Sequence, residues 1–372
     1  MSEEPLDLAR PEIGPEEEAL VLDVLRSGRL SLGPMLDRFE SDFAEWLGVD
    51  DAIATNSGTT ALHLGVRALG WGEGDEVVLS PFTFVASANC LLYEKATPVF
   101  ADVDPATANL DPEKAEAAIG GKTAGILPID IFGYPSAMPE FEVMAASRGL
   151  AILEDAAQAL GAVDSTGRKA GTSGHPAVFA FYANKQMTTG EGGMIIPSNP
   201  EQAERIRSER NQGRAIDMDW LDHDRLGFNY RLSDISAAVG VAQVAKLDTI
   251  LENRARVAAL YNDRLATVDG VETPAPDRGL ARRSWFVYPV RLDEGADRDG
   301  VIRRLGEAGI PAKAYLPCVH LIPHIAALGY GEGDFPVAEG ISRRSLALPF
   351  HGQMTAAEVD RVAESLTEAL KG

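Results

Sequence analysis

Cysteine is scarce in this sequence, since Cys90 and Cys318 are the only two among 372 residues. Two thiols cannot form the network of disulfides that holds small secreted domains together. No apolar run approaches the roughly 20 residues that a helix needs to cross a bilayer. We therefore expect neither a disulfide-stabilised scaffold nor a membrane protein, and we interpret both cysteines as buried thiols.

Basic residues are also few in comparison with acidic ones. The chain carries 34 Lys and Arg residues against 56 Asp and Glu residues, a net charge of −22. Since nucleic-acid binding needs basic groups against phosphates, we expect no nucleic-acid partner. Residues 1–10 lack the basic flank and the apolar core of a secretory signal, so we expect a cytoplasmic protein. A phosphorylated ligand would need a locally positive pocket inside this acidic surface.

Repeats and low-complexity linkers are absent as well, and what is present over residues 50–200 is an alternation of short apolar runs and helical stretches. Unbroken apolar runs are typical of strands buried on both faces. The alternation predicts an α/β fold with a largely parallel sheet covered by helices. The predicted strands lie over 51–55, 76–80, 97–103, 124–131, 151–154, 178–181 and 194–196, and the predicted helices over 59–69, 84–94, 112–119 and 138–148.

After Gly240 the pattern changes. One long amphipathic helix is predicted over 233–265, and an alternating strand over 285–292 is typical of a half-exposed antiparallel sheet. We therefore predict two domains. They are a large α/β domain over 1–245, with a helix segment at its N-terminus, and a small C-terminal α+β domain over 246–372, the second with helices over 298–308 and 355–370.

The segment NSGTT at 56–60 follows a predicted strand and opens a predicted helix. Gly58 allows close approach of the backbone, the first turn of a helix offers unpaired N–H groups, and Ser57 and Thr59 add hydroxyl donors. These properties indicate a cradle for phosphate. The alternative is a simple helix N-cap, which Ser and Thr also provide.

A second segment, ILEDAAQ at 152–158, carries an acidic pair at the carboxyl end of an apolar strand, where ligands bind in open α/β sheets. Asp155 is the candidate partner for the ring nitrogen of pyridoxal phosphate (PLP), because a carboxylate there keeps the ring protonated and able to accept electrons. Gln158, three residues later, is placed to donate to the phenolic oxygen of the ring. The alternative is that Asp155 only caps the next helix.

The third segment, FYANKQMTTGEGGM at 181–194, places a lysine after an apolar strand and before a glycine-rich return. Lys185 would have to lose a proton to attack an aldehyde, which requires a partly desolvated position. The glycines at 190, 192 and 193 let the backbone pass close to a bound ring. The alternative is a surface lysine in a hairpin.

Cradle, carboxylate and lysine follow one another in the order typical of fold-type I PLP enzymes. More narrowly, the chain resembles the DegT/DnrJ/EryC1/StrS family of PLP-dependent sugar aminotransferases, whose fold is aspartate aminotransferase-like. This resemblance implies a mostly parallel sheet of the seven-stranded type. The residues that carry it lie at 56–62, 80–90, 98–104, 154–162, 181–194, 227–243 and 333–351.

The resemblance implies roles for the residues around the cofactor. Gly58 and Thr59, with Ser57 beside them, would bind the phosphate, and Phe84 would stack on the pyridine ring. Many members carry serine where this chain has Ala180, so one hydroxyl contact to the phosphate is missing.

The resemblance also implies the catalytic pair. Lys185 would be the Schiff-base lysine and the carrier of protons, and Asp155 would keep the ring protonated. Asn229 of the partner subunit would reach the phosphate, which implies a homodimer with shared active sites. Asn184 or the partner's Asn229 would compensate for the missing serine.

Substrate contacts are weaker expectations. For His320 the alternative is a packing or surface histidine. We expect no metal at Cys318, His320 and His324, because Pro323 breaks the helix that would align the two histidines. The candidate substrate residues are Tyr182, Glu191, Arg231, Tyr315 and His320.

The resemblance therefore predicts a PLP-dependent aminotransferase that moves an amino group from L-glutamate or L-glutamine to a keto-sugar nucleotide, for the biosynthesis of amino sugars in polysaccharides or glycosides. Two alternatives stay open. One is a PLP-dependent sugar dehydratase, and the other is a non-enzymatic regulatory protein on an aminotransferase frame. The sequence does not identify the nucleotide or the position of the ketone.

Overall fold

Two helices precede the first strand of the chain. The computed structural model describes residues 6–214 and 222–371, and it begins with α1 (Pro15–Ser27) and α2 (Pro34–Leu47), which pack on α8 (Asp234–Ala245). The helix segment predicted at the N-terminus of the large domain is present, although no bounds were predicted for α1 or α2. Each nevertheless begins with proline and ends at a glycine in the left-handed conformation, an asymmetry typical of helix ends that could have revealed both.

The main sheet is built from short strands that are largely buried on both faces. They are β1 (Ile53–Thr55), β2 (Glu76–Leu79), β3 (Thr97–Phe100), β4 (Thr123–Leu127), β5 (Ala151–Ile152), β6 (Glu154–Asp155), β7 (Ala177–Ala180) and β8 (Gly193–Ile196). They form two groups, ordered β3-β2-β4-β5 and β6-β7-β8-β1.

These two groups are one sheet. β5 and β6 belong to a single run of chain interrupted at Leu153, and Ile129 bridges Asp155 in parallel across the join. The described part of the chain thus contains a seven-stranded main sheet in which only β8 runs antiparallel to its neighbours. The predicted α/β class with a mostly parallel sheet is confirmed.

Helices connect the strands and cover the sheet, as predicted, with ends that differ from the predicted ones by at most two residues. They are α3 (Gly58–Leu69), α4 (Ala86–Tyr93), α5 (Pro112–Ala118) and α6 (Met138–Arg148), and α7 (Pro200–Arg210) follows β8. Ser57 is the N-cap of α3, since its side chain accepts a hydrogen bond from the Thr60 N–H. The capping interpretation of this segment is therefore correct, and it does not exclude the cradle, which uses other N–H groups.

The single helix predicted over 233–265 is wrong, because two helices occupy that range. α8 ends at Ala245, and α9 (Leu247–Leu265) begins after Lys246, whose backbone leaves the helical conformation. The apolar side of α8 and the first turn of α9, through Leu247, pack in the core beneath the main sheet, whereas the later part of α9 packs in a separate core around Tyr261. We propose this break as the division between the domains over 1–245 and 246–372.

A second, antiparallel sheet has the order β11-β12-β10-β9. Its elements are β9 (Val271–Glu272), β10 (Tyr288–Leu292), β11 (Lys313–Ala314) and β12 (Ser345–Leu348), with helices α10 (Arg298–Glu307), α11 (Pro323–Ala326), α12 (Pro336–Arg344) and α13 (Ala356–Leu370). β10 begins three residues later than predicted, because the carbonyls of Trp285 and Phe286 accept hydrogen bonds from the Arg254 guanidinium. Across residues 6–214 and 222–371, every helix is too short or too polar to traverse a lipid bilayer.

Candidate active site

A cavity of about 390 Å³ opens at the carboxyl ends of β1, β6 and β7, the edge at which open α/β sheets bind ligands. The three predicted segments meet there because the chain leaves these strands at the same edge of the sheet. The predicted residues that line the cavity are Ser57, Gly58, Thr59, Phe84, Asp155, Gln158, Tyr182, Asn184, Lys185, Glu191 and Tyr315.

Lys185 projects into this cavity from the turn after β7, where its backbone N–H donates to the Tyr182 carbonyl. Its Nζ lies 4.1 Å from the centre of the Phe286 ring. Burial lowers the pKa of the amine to about 8, and the carboxylate of Asp155 opposes that shift. Far more of the amine is therefore neutral near pH 7 than for an exposed lysine, and the alternative of a surface lysine is wrong.

Asp155 lies at the end of β6 and is buried. The Ser87 hydroxyl donates to its Oδ2 at 2.7 Å, and the Ala157 N–H donates to its Oδ1 at 3.2 Å. Burial raises the pKa of this carboxyl, while these hydrogen bonds and the Lys185 charge lower it. A turn follows Asp155 instead of a helix, so the alternative of a helix cap is wrong.

Gln158 is held by one specific contact. Its Oε1 accepts the Phe132 N–H at 2.9 Å, and a backbone N–H can bind only the oxygen end of the amide. This fixes the orientation of the side chain, and the Nε2 group is left for the cavity that Gln158 lines. The role of Gln158 as a donor to a ring oxygen stays a prediction, and this orientation is compatible with it.

The cradle is formed by the first turn of α3. Ala61 makes the first backbone hydrogen bond of the helix, to the Ser57 carbonyl, so the N–H groups of Gly58 and Thr59 precede the hydrogen-bonded part and point out of it. A Cβ atom at position 58 would lie 2.6 Å from the Cβ of Ala180. Only glycine lets α3 approach β7 this closely, which places these N–H groups at the cavity wall.

Three further side chains border the cavity. The Oδ1 atom of Asn184 is buried without a hydrogen-bond donor in the described chain, and an orphan amide of this kind is typical of a ligand site. Phe84 and Tyr182 are 59% and 51% exposed, although large aromatic side chains are rarely so open. Both rings line the cavity and can therefore cover a bound group.

Residues 11–367 match the DegT/DnrJ/EryC1/StrS aminotransferase family. The chain belongs to this family. It is 38% identical to the GDP-perosamine synthase of Caulobacter vibrioides over 98% of both chains, and 36% identical to the dTDP-3-amino-3,4,6-trideoxy-alpha-D-glucose transaminase of Streptomyces venezuelae over 98% of this chain and 94% of that one. The crystal structure of an aminotransferase, TlmJ, from Streptoalloteichus hindustanus matches it with a TM-score of 0.93 at 33% identity and covers 99% of both chains. The predicted enzyme class, a PLP-dependent transaminase, is thereby confirmed.

Two residues that the family resemblance assigns to the site lie outside the cavity lining of this chain. Asn229 is exposed, and its carbonyl accepts a hydrogen bond from Asn56 Nδ2 at 3.4 Å. Arg231 donates to Asn211 Oδ1 at 2.9 Å, and burial with the neighbouring Arg214 and Arg210 lowers its pKa. Asn56 is adjacent to the cradle, so this surface lies beside the mouth of the aminotransferase cavity.

His320 does not belong to the cavity, and its assignment to the substrate is corrected. The side chain is fully buried, with Nε2 3.3 Å from Glu339 Oε1 and the ring against Phe335. It packs between α12 and the main sheet, which agrees with the alternative of a packing histidine. Cys318 is buried as well, whereas His324 Nε2 is 2.7 Å from Asn89 Oδ1 on α4.

Several residues of the cavity lining were not predicted from the sequence, among them Thr83, Ser87, Phe286 and Leu316. Thr83 and Ser87 stand four apart in the segment SPFTFVASANC, a spacing that places two hydroxyls on one side of a helical turn and could have found them. Phe286 and Leu316 come from the second, antiparallel part of the aminotransferase, and no local pattern marks them.

A pair of buried carboxyl groups lies behind Asp155. Burial, with Asp155 nearby, raises the pKa of Asp130 to about 6, and burial next to Asp130 raises the pKa of Glu154 well above its usual value. Asp130 Oδ2 has no donor among the described residues unless Glu154 carries a proton. Two carboxylates this close cannot both ionise cheaply, so we infer that the pair shares a proton.

The shared proton predicts a pH-dependent stability. A carboxyl whose pKa is raised by folding contributes stability below its unfolded pKa, and that stability is lost as pH rises through the folded pKa. The Glu154→Gln variant keeps a donor for Asp130 and cannot ionise. Relative to wild type, we expect the free energy of unfolding of this variant, measured with urea, to increase by about 1–3 kcal/mol as the pH rises from about 5 through the raised pKa values of the pair. Parallel pH curves for the two proteins would contradict the shared proton.

Proposed function

We propose that this aminotransferase binds PLP in the cavity and moves an amino group from L-glutamate or L-glutamine to a keto-sugar nucleotide, as a homodimer. One observation carries the proposal: a partly buried amine with a lowered pKa, Lys185, faces a buried carboxylate, Asp155, in a cavity whose wall is the first turn of a helix. The GDP- and dTDP-linked sugars in the names of the two relatives support a nucleotide-linked sugar as the amino acceptor.

The residues present fit PLP. The N–H groups of Gly58 and Thr59, with the hydroxyl groups beside them, suit the phosphate. Asp155 suits the ring nitrogen, because its carboxylate is buried and borders the cavity. Gln158 offers Nε2 to the ring oxygen, and the exposed ring of Phe84 can lie over the pyridine face. When bound, PLP supplies a conjugated ring that takes up the electron pair left when an amino acid loses its Cα proton.

Lys185 performs the proton transfers in this proposal. Its Nζ, with a pKa of about 8, is a suitable general base for the Cα proton of the amino donor near neutral pH. After taking that proton, the ammonium group is stabilised by the face of Phe286, 4.1 Å away, and by the charge of Asp155. From this position Nζ can return a proton to a second carbon.

The acidic acceptor is expected to bind beside the mouth of the cavity. Arg231 lies close enough to Arg214 and Arg210 for their charges to interact, and of these Arg210 is buried and ion-paired with Glu40. In a homodimer, Asn229 and Arg231 of one protomer would reach the cavity of its partner. Arginine suits the diphosphate of a nucleotide sugar, since its planar fork binds two oxygens at once.

Subunit mixing tests the shared site. We expect Asn229→Ala and Lys185→Ala each to be nearly inactive alone. If Asn229 serves the partner's cavity, refolding equal amounts of the two variants together gives hybrid dimers with one intact site, and about a quarter of wild-type activity returns. The measurement is amino-sugar formation before and after mixing. Activity that stays at the level of the separate variants would place Asn229 and Lys185 in the same protomer's site or remove the role of Asn229.

The reaction is tested in two halves. Purified protein with PLP should turn yellow, and L-glutamate or L-glutamine should bleach that colour while releasing the keto acid. A set of keto-sugar nucleotides should then restore the colour and yield an amino sugar, identified by mass spectrometry. A deoxy sugar without a new amino group would support the dehydratase instead, and failure of both amino donors to bleach the colour would refute the transfer.

A further inference from the structure

We propose that Ser87 is a positioning residue for Asp155: its hydroxyl, itself oriented by Thr83, holds one carboxylate oxygen so that Asp155 presents a fixed negative charge to the ring nitrogen. The inference rests on the proposed PLP site and adds to it the two side chains that set its counter-charge. Neither belongs to the three segments from which the site was predicted.

The direction of the hydrogen bonds follows from the chemistry of the three groups. Ser87 Oγ is 2.7 Å from Asp155 Oδ2 and 2.9 Å from Thr83 Oγ1. An ionised carboxylate can only accept, so Ser87 donates to Asp155. The remaining capacity of the Ser87 oxygen is as an acceptor, and Thr83 donates to it. The relay therefore runs from Thr83 through Ser87 to Asp155.

The relay lies where it has the greatest electrostatic effect. Thr83 and Ser87 are each 1% exposed and Asp155 is 4% exposed. Among the described residues, Ser87 is the one side chain that donates a hydrogen bond to this carboxylate, and the Ala157 N–H, at 3.2 Å, is its backbone donor. A carboxylate that is buried with so few donors depends strongly on each of them. Without Ser87 the charge would be lost more readily or would turn away from the cavity.

The same turn also carries the residue expected over the ring face. The N–H of Ser87, in the first turn of α4, donates to the carbonyl of Phe84 at 3.1 Å. Phe84 projects outward, 59% exposed, while Thr83 and Ser87 project inward. Residues 83–87 thus determine both the face contact of the ring and, through Asp155, the charge at its nitrogen.

A binding experiment on the apoprotein separates this role from a structural one. The probes are PLP and its 1-deaza analogue, in which a carbon replaces the ring nitrogen, with dissociation constants measured by equilibrium dialysis. Wild type should bind PLP more tightly than the analogue. In Ser87→Ala we expect this preference to fall about tenfold or more, because a hydrogen bond to a charged group has been removed. Binding of the analogue itself should change little.

Two further variants complete the test. Ser87→Thr retains the hydroxyl and should retain most of the preference, and Thr83→Val should reduce it in the same direction as Ser87→Ala but less. If Ser87→Ala does not fold, the preference for PLP over the analogue in Thr83→Val tests the relay instead.

The outcomes distinguish the two proposals. Wild type that binds neither probe would refute the proposed PLP site. Wild type that prefers PLP, together with a Ser87→Ala protein that keeps the full preference or weakens both probes equally, would overturn the role of Ser87 alone. Equal binding of the two probes by wild type would overturn the pairing of Asp155 with the ring nitrogen and the relay with it.

Discussion

Replacing Lys185 by alanine is expected to abolish amino transfer, with a loss of about a thousandfold or more in turnover. The reason is that the described residues lining the cavity include no second basic side chain, so no other amine can take over the proton transfers. The fold should survive, because within residues 6–214 and 222–371 the Lys185 side chain makes no hydrogen bond and one ring contact, to Phe286. Turnover is measured with a saturating amino donor, and folding by urea unfolding.

Two controls strengthen this prediction. Lys185→Arg keeps a positive charge near Asp155 but cannot lose its proton, so it should be as inactive as the alanine variant. Lys169, whose Nζ donates to the Trp46 carbonyl away from the cavity, provides the matched control, and Lys169→Ala should turn over at nearly the wild-type rate. Appreciable activity in Lys185→Arg would show that a charge at this position, and not a base, is what the reaction needs.

The site could be predicted from the sequence where one short segment contains the whole signal. A lysine between an apolar strand and a run of glycines, or an acidic residue at the end of an apolar strand, has few structural alternatives. For this reason Lys185, Asp155 and Gly58 all line the observed cavity. The seven-stranded sheet was predictable for a related reason, since strands buried on both faces leave unbroken apolar runs.

Contacts between distant segments were not predictable in this way. Phe286 reaches Lys185 from 101 residues further along the chain, and Ser87 reaches Asp155 across 68. His320 shows the converse. The short pattern around it is typical of a substrate contact in the family, yet packing against Phe335 and Glu339 places it in the interior. A local pattern gives the residue type and the turn, whereas the tertiary neighbours decide what the side chain touches.

The acidic composition no longer conflicts with a phosphorylated cofactor. In the proposed site the cradle would use the neutral N–H groups of α3 and nearby hydroxyl groups, and the described cavity lining contains Lys185 as its basic side chain beside Asp155 and Glu191. A helix N-terminus stabilises an anion by about 0.3–1 kcal/mol or more through its dipole, in addition to hydrogen bonds from its N–H groups. Phosphate binding therefore needs no excess of lysine and arginine, and the chain can remain strongly acidic elsewhere.

Replacing Asp155 by asparagine is expected to lower the rate of the first half of the reaction by about a hundredfold to a thousandfold. The amide has nearly the shape of the carboxylate but no charge. Opposite charges about 4 Å apart attract by about 4 kcal/mol at an effective dielectric constant near 20, and in the proposed site this attraction would keep the ring nitrogen protonated. The measurement is the single-turnover rate at which L-glutamate bleaches the bound cofactor, followed in a stopped-flow spectrometer.

The neighbouring carboxyl group is the matched control for this prediction. Glu154 belongs to the same strand, β6, and is equally buried, but it contacts the Gly171 N–H on the side away from the cavity. Glu154→Gln makes the same chemical change one residue earlier and should keep the single-turnover rate within a few-fold of wild type. If both variants slowed the reaction alike, the loss would reflect disturbance of β6. A normal rate in Asp155→Asn alone would show that the ring nitrogen does not need this negative charge, because the amide occupies the same position without it.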